Sequence, residues 1–380
     1  MDYEETFAPV AKMTTVRTLI AVASVRKWKI CQMDVKNAFL NGDLHEEVYI
    51  IPPPRIAHQP GEVCRLRKAL YGDDYDGIES LKHDLAHRFA MKDLGLLRYF
   101  LGIEVAQPHI GYLLSQTKYI SDLFQRARLS DNRTVDTPLE TNARYSPSDG
   151  VPLADPSLYR TIVGSFVYLT ITRPDIAHAV HVVSQFVTAP TSVHWGAVLH
   201  ILRYLRGTQF QSLLFPSTSS LELRAYSDAD WDSDRNDRKS TTGFCVFLGD
   251  SLISWRSKKQ DVVSRSSTEA EYRAMVVTTC EIVWLRWLLA DMGVTISQPT
   301  PLHCDNKSAM QIAKNSVFHE RTKHIEIDCH FTRHHLQLGT ISLPYVPSAL
   351  QIADIFTKAL SVSRFRFLCD KLSMLIAIAL

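Results

Sequence analysis

At 380 residues, with 46% hydrophobic and 22% charged residues, the chain has the make-up of a folded protein too long for one ordinary core, so two or three domains are expected. A formal net charge of +2 neither requires nor excludes a nucleic-acid partner, because a basic face and an acidic site cancel in the total. The seven cysteines include no CxxC pair, which argues against a zinc ribbon or a disulfide framework, and no apolar run is long enough to cross a bilayer. The N-terminal MDYEETFAPVAK puts charges and a proline where a signal peptide needs an apolar stretch.

Thr15 to Val25 carries apolar residues at helical spacing (Val16, Leu19, Ile20, Ala23), and Lys27 to Asp34 reads as a strand that delivers Asp34 at its end. A turn at Asn41-Gly42 and a short strand from Glu47 to Ile51 follow, stopped by prolines 52 to 54. Ile78 to Ala90 reads as an amphipathic helix. Two strands joined near Pro108 to Gly111 come next, then a helix over Lys118 to Arg128 and a linker over Thr137 to Ser157. Three helices are expected between Tyr159 and Arg206, with Pro174 near the start of the second. His178, His181, His194 and His200 do not share a face at ligand spacing, so satisfied or solvated rings are expected there. FPSTSS at 215 to 220 reads as a domain boundary.

Beyond it, a strand over Leu221 to Tyr226 leads into Asp228. A hairpin of Gly243 to Leu248 with Ser251 to Arg256 turns at Gly249-Asp250, and a long helix starts after Ser266 and stops at Gly293. A strand over Pro301 to Cys304, a helix over Lys307 to Lys314, a strand over Thr340 to Val346 and a helix over Leu350 to Leu360 complete the pattern. Meandering strands followed by a strand-helix-strand crossover predict a mixed sheet with helices packed on it. Four acids fall at its element ends: Asp228 after the first strand, Glu269 in the first turn of the long helix, Asp305 after a short strand, and Asp354 in the last helix. Three have a purely local account, since Asp228 suits an Asx turn, Glu269 completes a Ser266-x-x-Glu269 capping box, and Asp305 is a natural N-cap. Asp354, within the apolar QIADIF, has none. Taken singly, the local account is favoured for the first three; a cluster of such acids would suit a hard cation such as magnesium, which prefers oxygen ligands.

The wording of the chain is more specific than its pattern. YEETFAPVAKMTTVRTLIAVA and QMDVKNAFLNGDLHEEVYI resemble the opening of the reverse transcriptase of copia-type long-terminal-repeat retrotransposons. That resemblance implies that Asp34 descends from a metal-binding palm aspartate and Phe39 from the aromatic against the incoming sugar. AYSDADW, STEAEY, HCDNKSA, RTKHIEIDCHF and VPSALQIADIFTKAL resemble the ribonuclease H domain that follows it, where the order strand-Asp, helix-Glu, strand-Asp, helix-Asp holds the catalytic metals. One departure is that 345–353 lacks the histidine that some cellular ribonucleases H carry before the fourth carboxylate.

Tyr71-Gly72-Asp73-Asp74 spells the YxDD form of a reverse transcriptase's second metal element, yet the context disagrees. That element needs an apolar strand on each side, whereas here Arg65, Arg67 and Lys68 precede it and a helical pattern follows. ALYG resembles a phrase from well before the true aspartate pair and DDYDGIESLK one from just after it, so an internal deletion joining Gly72 to Asp73 is expected. The 39 positions from Asp34 to Asp73 (73 minus 34) are too few for the missing palm.

The expected fold is therefore α+β, a mixed α/β multidomain chain. It comprises a reverse transcriptase fingers and palm remnant (1–72), the remaining palm with a primer-grip-like hairpin (73–136), a linker with a helical thumb-like segment (137–216), and a ribonuclease H-like five-stranded mixed sheet with flanking helices (217–380). The expected chemistry is hydrolysis of RNA in an RNA/DNA hybrid by two Mg2+ ions, with Mn2+ as a substitute, held by Asp228, Glu269, Asp305 and Asp354. Arg256, Lys258, Lys259, Arg265, Arg238 and Lys239 are the candidate contacts to the nucleic-acid backbone, a solvated loop being the equal alternative for each. An inactive polymerase part is expected; the competing readings are a non-catalytic nucleic-acid-binding remnant and an active polymerase. No membrane partner is expected, and the resemblance implies a cytoplasmic retrotransposon particle or the nucleus. The tail CDKLSMLIAIAL loses the family's polar character, so the extreme C-terminus reads as frayed or frame-altered.

Overall fold

A computed structural model describes residues 12–35, 49–50, 64–65, 82–83, 91–129, 131–231, 237–315 and 326–376. Phe39, the Asn41-Gly42 turn, prolines 52 to 54, Tyr71 to Asp74 and most of Ile78 to Ala90 lie outside them; of that expected helix, 82 and 83 are described and helical.

Helix α1 (Met13–Val25) leads to β1 (Cys31–Val35), then β2 (Tyr49–Ile50), β3 (Cys64–Arg65) and β4 (Met91–Leu96). Strand β1 pairs antiparallel with β4, setting Asp34 opposite Lys92. The short strands β5 (Tyr99–Phe100), β6 (Ile103–Ala106) and β7 (Gly111–Ser115) form the expected hairpin region, followed by α2 (Thr117–Arg126). Strand β8 (Gln211–Pro216) was not foreseen, because its run of apolar residues ends in the proline- and serine-bearing stretch that marks a boundary. It joins β7 on one side and the C-terminal β14 (Met374–Ile376) on the other, in the sheet order β14-β8-β7-β6-β5. Within the tail expected to fray, Met374–Ile376 is a strand and Leu372 beside it is fully buried, while 377–380 lie outside the described residues.

Between α2 and β8 in sequence come α3 (Ser157–Leu169), α4 (Ala177–Ser184) and α5 (Ser192–Gly207), with Pro174 opening a 3-10 turn into α4. Proline fits there because the first turn needs no intrahelical N–H. Their core holds a buried polar network. Arg173 donates from Nε and Nη2 to the two oxygens of Asp175 (2.9 and 2.7 Å), and the Tyr204 hydroxyl donates to the same carboxylate at 2.6 Å. Of the four histidines, His194 completes a capping box with Thr191 and contacts the Ser146 carbonyl, and His200 contacts the Thr137 carbonyl.

The remaining residues build the sheet that carries the acids. Strands β9 (Leu223–Asp230), β10 (Thr241–Leu248) and β11 (Ser251–Lys259) run antiparallel in sequence. The long helix α6 (Ser267–Asp291) then crosses to β12 (Thr300–His303), parallel to β9; α7 (Lys307–Lys314), α8 (Glu326–Gln337), β13 (Ile341–Ser342) and α9 (Val362–Cys369) follow. The order is β11-β10-β9-β12-β13. Alternation along β9 sends Ala229 toward α6, where it clusters with Ala270 and Ala274, and Asp228 to the opposite face. The sheet is continuous with the rest of the molecule: Arg17 on α1 donates to the Ile253 carbonyl at 2.8 Å and lies over the Trp255 ring.

Candidate carboxylate site

Asp228 sits inside β9, not in a turn after it, opposite Gly243 of β10 and 1% exposed. Gly243 is what lets the fourth acid reach it. A Cβ there would come within 2.6 Å of the Thr357 methyl and 2.9 Å of the Phe356 Cβ, so only a glycine lets the 352–358 stretch lie on the sheet. That stretch opens with a 3-10 turn, Ile352–Phe356, where an α-helix was expected from the apolar spacing alone. The turn brings Asp354, 7% exposed, beside Asp228, with Lys358 between them. The Lys358 Nζ lies 3.1 Å from Asp228 Oδ2 and 2.8 Å from Asp354 Oδ1. The Thr357 hydroxyl also donates to Asp228 Oδ2, and Arg364 reaches Asp354 Oδ2 at 3.1 Å.

Glu269 takes no part in this cluster. Its backbone N–H donates to the Ser266 side chain, its carboxylate accepts from the Arg265 N–H at 2.8 Å, and Arg273 pairs with it at 3.0 Å. The N-cap half of the expected capping box therefore forms, while the carboxylate reaches back past the N-cap to the Arg265 N–H. The glutamate beside the other acids is Glu271, two residues on and so on another face of the helix. It is 6% exposed, and its Oε2 has no hydrogen-bond partner. The Glu271 carboxylate, the Cys304 sulfur and an Asp305 oxygen lie within 4.8 Å of one another, the one such potential metal-ligand group among the described residues. Asp305 follows β12 and accepts from the Ser348 hydroxyl at 2.6 Å, while the N-cap of α7 is Asn306.

The electrostatics tie the four acids into one unit. Burial first, opposed by Lys358 and reinforced by Asp354 and Asp305, pushes Asp228 up to about 6. Burial, then the charges of Asp228 and Asp305, raises Glu271 well above the usual carboxylate range. Burial alone would lower Lys358, yet Asp228 and Asp354 outweigh it and hold the ammonium above its ordinary value. The oxygens suit a hard cation, and the unpartnered Glu271 Oε2 is a ligand atom lacking a donor. Cys304 suits it less, because burial holds its thiol protonated.

Glu271 was legible in principle. Glu271, Met275, Thr278, Ile282, Leu285 and Leu289 are all buried, spaced four and three in turn, so the acid heads the core stripe of its helix.

Of the candidate backbone contacts, Arg256, Lys258, Arg265 and Arg238 are exposed. Lys259 and Lys239 are half-buried and face Asp237 at 3.0 and 4.0 Å. Asp34 is exposed on β1, while Phe39 lies outside the described residues.

Three antiparallel strands, a crossing helix and two further parallel strands, with acids gathered at one end, define the ribonuclease H-like class of mixed α/β fold. Comparison with known proteins narrows this. The family model for reverse transcriptase (RNA-dependent DNA polymerase) matches residues 1–74 and 72–141. The Retrovirus-related Pol polyprotein from transposon RE1 of Arabidopsis thaliana is 39% identical over 98% of this chain, which spans 29% of that polyprotein. An uncharacterized mitochondrial protein of Arabidopsis thaliana is 43% identical over 57% of this chain and 89% of its own length. Among solved structures, the compost ribonuclease H1 LC11 aligns with 36% of this chain and 93% of its own at 13% identity and a TM-score of 0.29. The chain belongs to the copia-type retrotransposon Pol polyprotein family. The first alignment runs to 429 positions against 380 residues, so at least 49 positions (429 minus 380) are present in the relative alone.

Proposed function

We propose that this chain is a ribonuclease H that hydrolyses the RNA strand of an RNA/DNA hybrid, joined to a reverse transcriptase remnant without polymerase activity. The observation that carries the reading is the convergence of Asp228, Glu271, Asp305 and Asp354, with a buried glutamate oxygen left unpartnered. These side chains would hold divalent metal, Mg2+ or Mn2+, whose chemistry when bound is activation of a water and stabilisation of the leaving 3′ oxygen. Exposed Arg256 and Lys258 on the edge strand β11 suit the phosphate backbone, and choice of the RNA strand rests on its 2′-hydroxyl and the duplex shape. The place of action proposed with this reading is a cytoplasmic retrotransposon particle, or the nucleus.

The inactive polymerase is supported by a family match that breaks into two pieces meeting at 72–74, and by the positions absent from this chain. Robust primer extension dependent on Asp73 or Asp74 would refute it. The nuclease reading is tested by the full chain with a labelled hybrid: Mg2+-dependent cleavage is expected, and Asp305→Asn abolishes it. Metal-dependent cleavage that survives the substitution sinks the site. The second reading, a non-catalytic nucleic-acid binder, draws on Lys358 and Arg364, which already satisfy Asp228 and Asp354 without metal. Salt-sensitive hybrid binding with no cleavage at any Mg2+ concentration favours it.

A further inference from the structure

A cavity of about 570 Å³, open to solvent, lies beside the acids and belongs to neither half of the chain alone. One wall comes from the linker and the residues after α4, through Arg144, Tyr145 and Phe186; the other comes from the sheet and the segment after the 3-10 turn, through Asp230, Lys259 and Arg364. Thr357, which also lines it, donates to Asp228, and Asp230 follows Asp228 by two residues on the same face of β9. Two residues of strand span about 7 Å. A nucleic-acid backbone held at the acids therefore reaches the cavity within about two nucleotides, at about 3.4 Å of rise each.

The lining combines positive charge with an aromatic wall. Four cationic side chains, Arg144, Lys259, Lys358 and Arg364, stand against one carboxylate, Asp230, so the cavity favours an anion. Lys259 is already shared with Asp237 (3.0 Å) and Gln185 (3.1 Å). Arg144 is exposed and has no hydrogen-bond or ion-pair partner among the described residues, and its planar fork suits a phosphate. The aromatic wall is anchored from behind. His194, 1% exposed, accepts the Thr191 N–H at Nδ1 (3.1 Å) and meets the Ser146 carbonyl through Nε2 (3.1 Å), which fixes its ring. Phe186 stacks on that ring with centroids 3.8 Å apart, and Tyr145 meets it edge-on at 6.4 Å. Both are half-buried and line the cavity, so little of their freedom is left to lose when a base stacks on them.

We propose that this cavity binds an unpaired nucleotide, base against Tyr145 and Phe186 and phosphate against Arg144, so that the chain grips a single-stranded end of the hybrid next to the carboxylate site. A base reaches an aromatic wall only when it is out of the duplex, and a cavity of this volume holds a small ligand, not a helix. The inference rests on the nucleic-acid-binding part of the proposed function and requires no metal.

The test uses the full chain in EDTA, so that cleavage plays no part. Fluorescence anisotropy compares an RNA/DNA hybrid with blunt ends and the same hybrid bearing a short single-stranded RNA extension. The extended hybrid is expected to bind about 5- to 100-fold more tightly, the range that base stacking on aromatic side chains supplies. Arg144→Ala and Phe186→Ala are each expected to reduce that ratio. Equal binding of the two hybrids overturns the inference and leaves the cleavage reading standing. A ratio unchanged by both substitutions also overturns it, since the extension is then held elsewhere. Should Phe186→Ala fail to fold, Arg144→Ala decides alone. Adenosine 5′-monophosphate as a competitor separates two sources of the ligand, and either result supports the inference while the ratio holds: displacement of the extension shows that a free nucleotide enters, and failure to displace it shows that the nucleotide must be carried by a strand. No binding of either hybrid overturns the inference together with the reading beneath it.

Discussion

The Gln351 side-chain amide donates to the Ser227 carbonyl at 2.9 Å, across the interface between the turn that carries Asp354 and the strand that carries Asp228. Its carbonyl oxygen accepts from the Ala353 N–H at 3.2 Å, so one fully buried side chain both caps the turn and ties it to β9. Replacing it by leucine keeps the bulk and leaves two buried backbone groups unpaired. A loss of about 1–3 kcal/mol is expected on that ground. Hybrid cleavage should fall too, because Asp354 loses the tether that fixes its distance from Asp228. Urea unfolding and a cleavage assay on Gln351→Leu check both; unchanged stability would show the tether to be redundant.

The two glutamates of α6 separate structure from chemistry. Glu271→Gln removes a carboxylate from the cluster and is expected to abolish cleavage while leaving the fold intact, since burial already disfavours its charge. Glu269→Gln loses charge from the capping contacts and the Arg273 pair, and should cost about 0.5–2 kcal/mol in stability with cleavage retained. The opposite pattern, with Glu269 essential and Glu271 dispensable, would reinstate the expectation drawn from the capping-box position.

That contrast marks what the sequence made legible. The order of strands and helices in 217–380 could be read because hairpin turns, an N-cap at Ser266 and alternating apolar residues are local signals. The capping box that points to Glu269 is local as well and occupies the helix start, whereas the core stripe headed by Glu271 shows itself only when the whole helix is laid out. Strand β8 and its pairing with β14 were missed for a deeper reason. Residues 211–213 and 374–376 meet across 161 to 165 positions (374 minus 213, 376 minus 211), and no short-range pattern encodes such a pairing. Lys358 was likewise invisible, since only the turn geometry sets it between two acids.

Asp175 makes a sharper stability test than the acids of the site. Its carboxylate is buried beneath the Arg173 fork and the Tyr204 hydroxyl, and Arg173 also donates to the Thr208 carbonyl at 3.0 Å. Asp175→Ala strands a guanidinium that is 1% exposed, and breaking a buried pair in this way costs about 3–5 kcal/mol. Tyr204→Phe removes one donor and should cost about 1 kcal/mol. Equal effects from the two substitutions would mean that the ion pair is not the principal member of the network.

His178 and His181 give the molecule an acid limit. Burial, reinforced by the charge of His181 and opposed by a hydrogen bond at the Phe356 backbone, pushes His178 down to about 3. Burial, with Lys259 and Lys258 adding to it, pushes His181 down to about 4. Both rings are therefore neutral in the folded chain near neutral pH, whereas an unfolded histidine protonates at about 6.5. Below that value the unfolded state binds more protons than the folded state, so acid favours unfolding. The stability these rings contribute is present above pH 6.5 and is lost as pH falls through the window from 6.5 toward 4 and 3. Each contributes a slope of up to about 1.4 kcal/mol per pH unit within its window. Urea midpoints at pH 7, 6 and 5 should drop progressively in the native chain. The drop should be shallower in His178→Gln and in His181→Gln, which remove a titrating group from both states. A native slope unchanged by both substitutions would assign the acid sensitivity to the carboxylates instead.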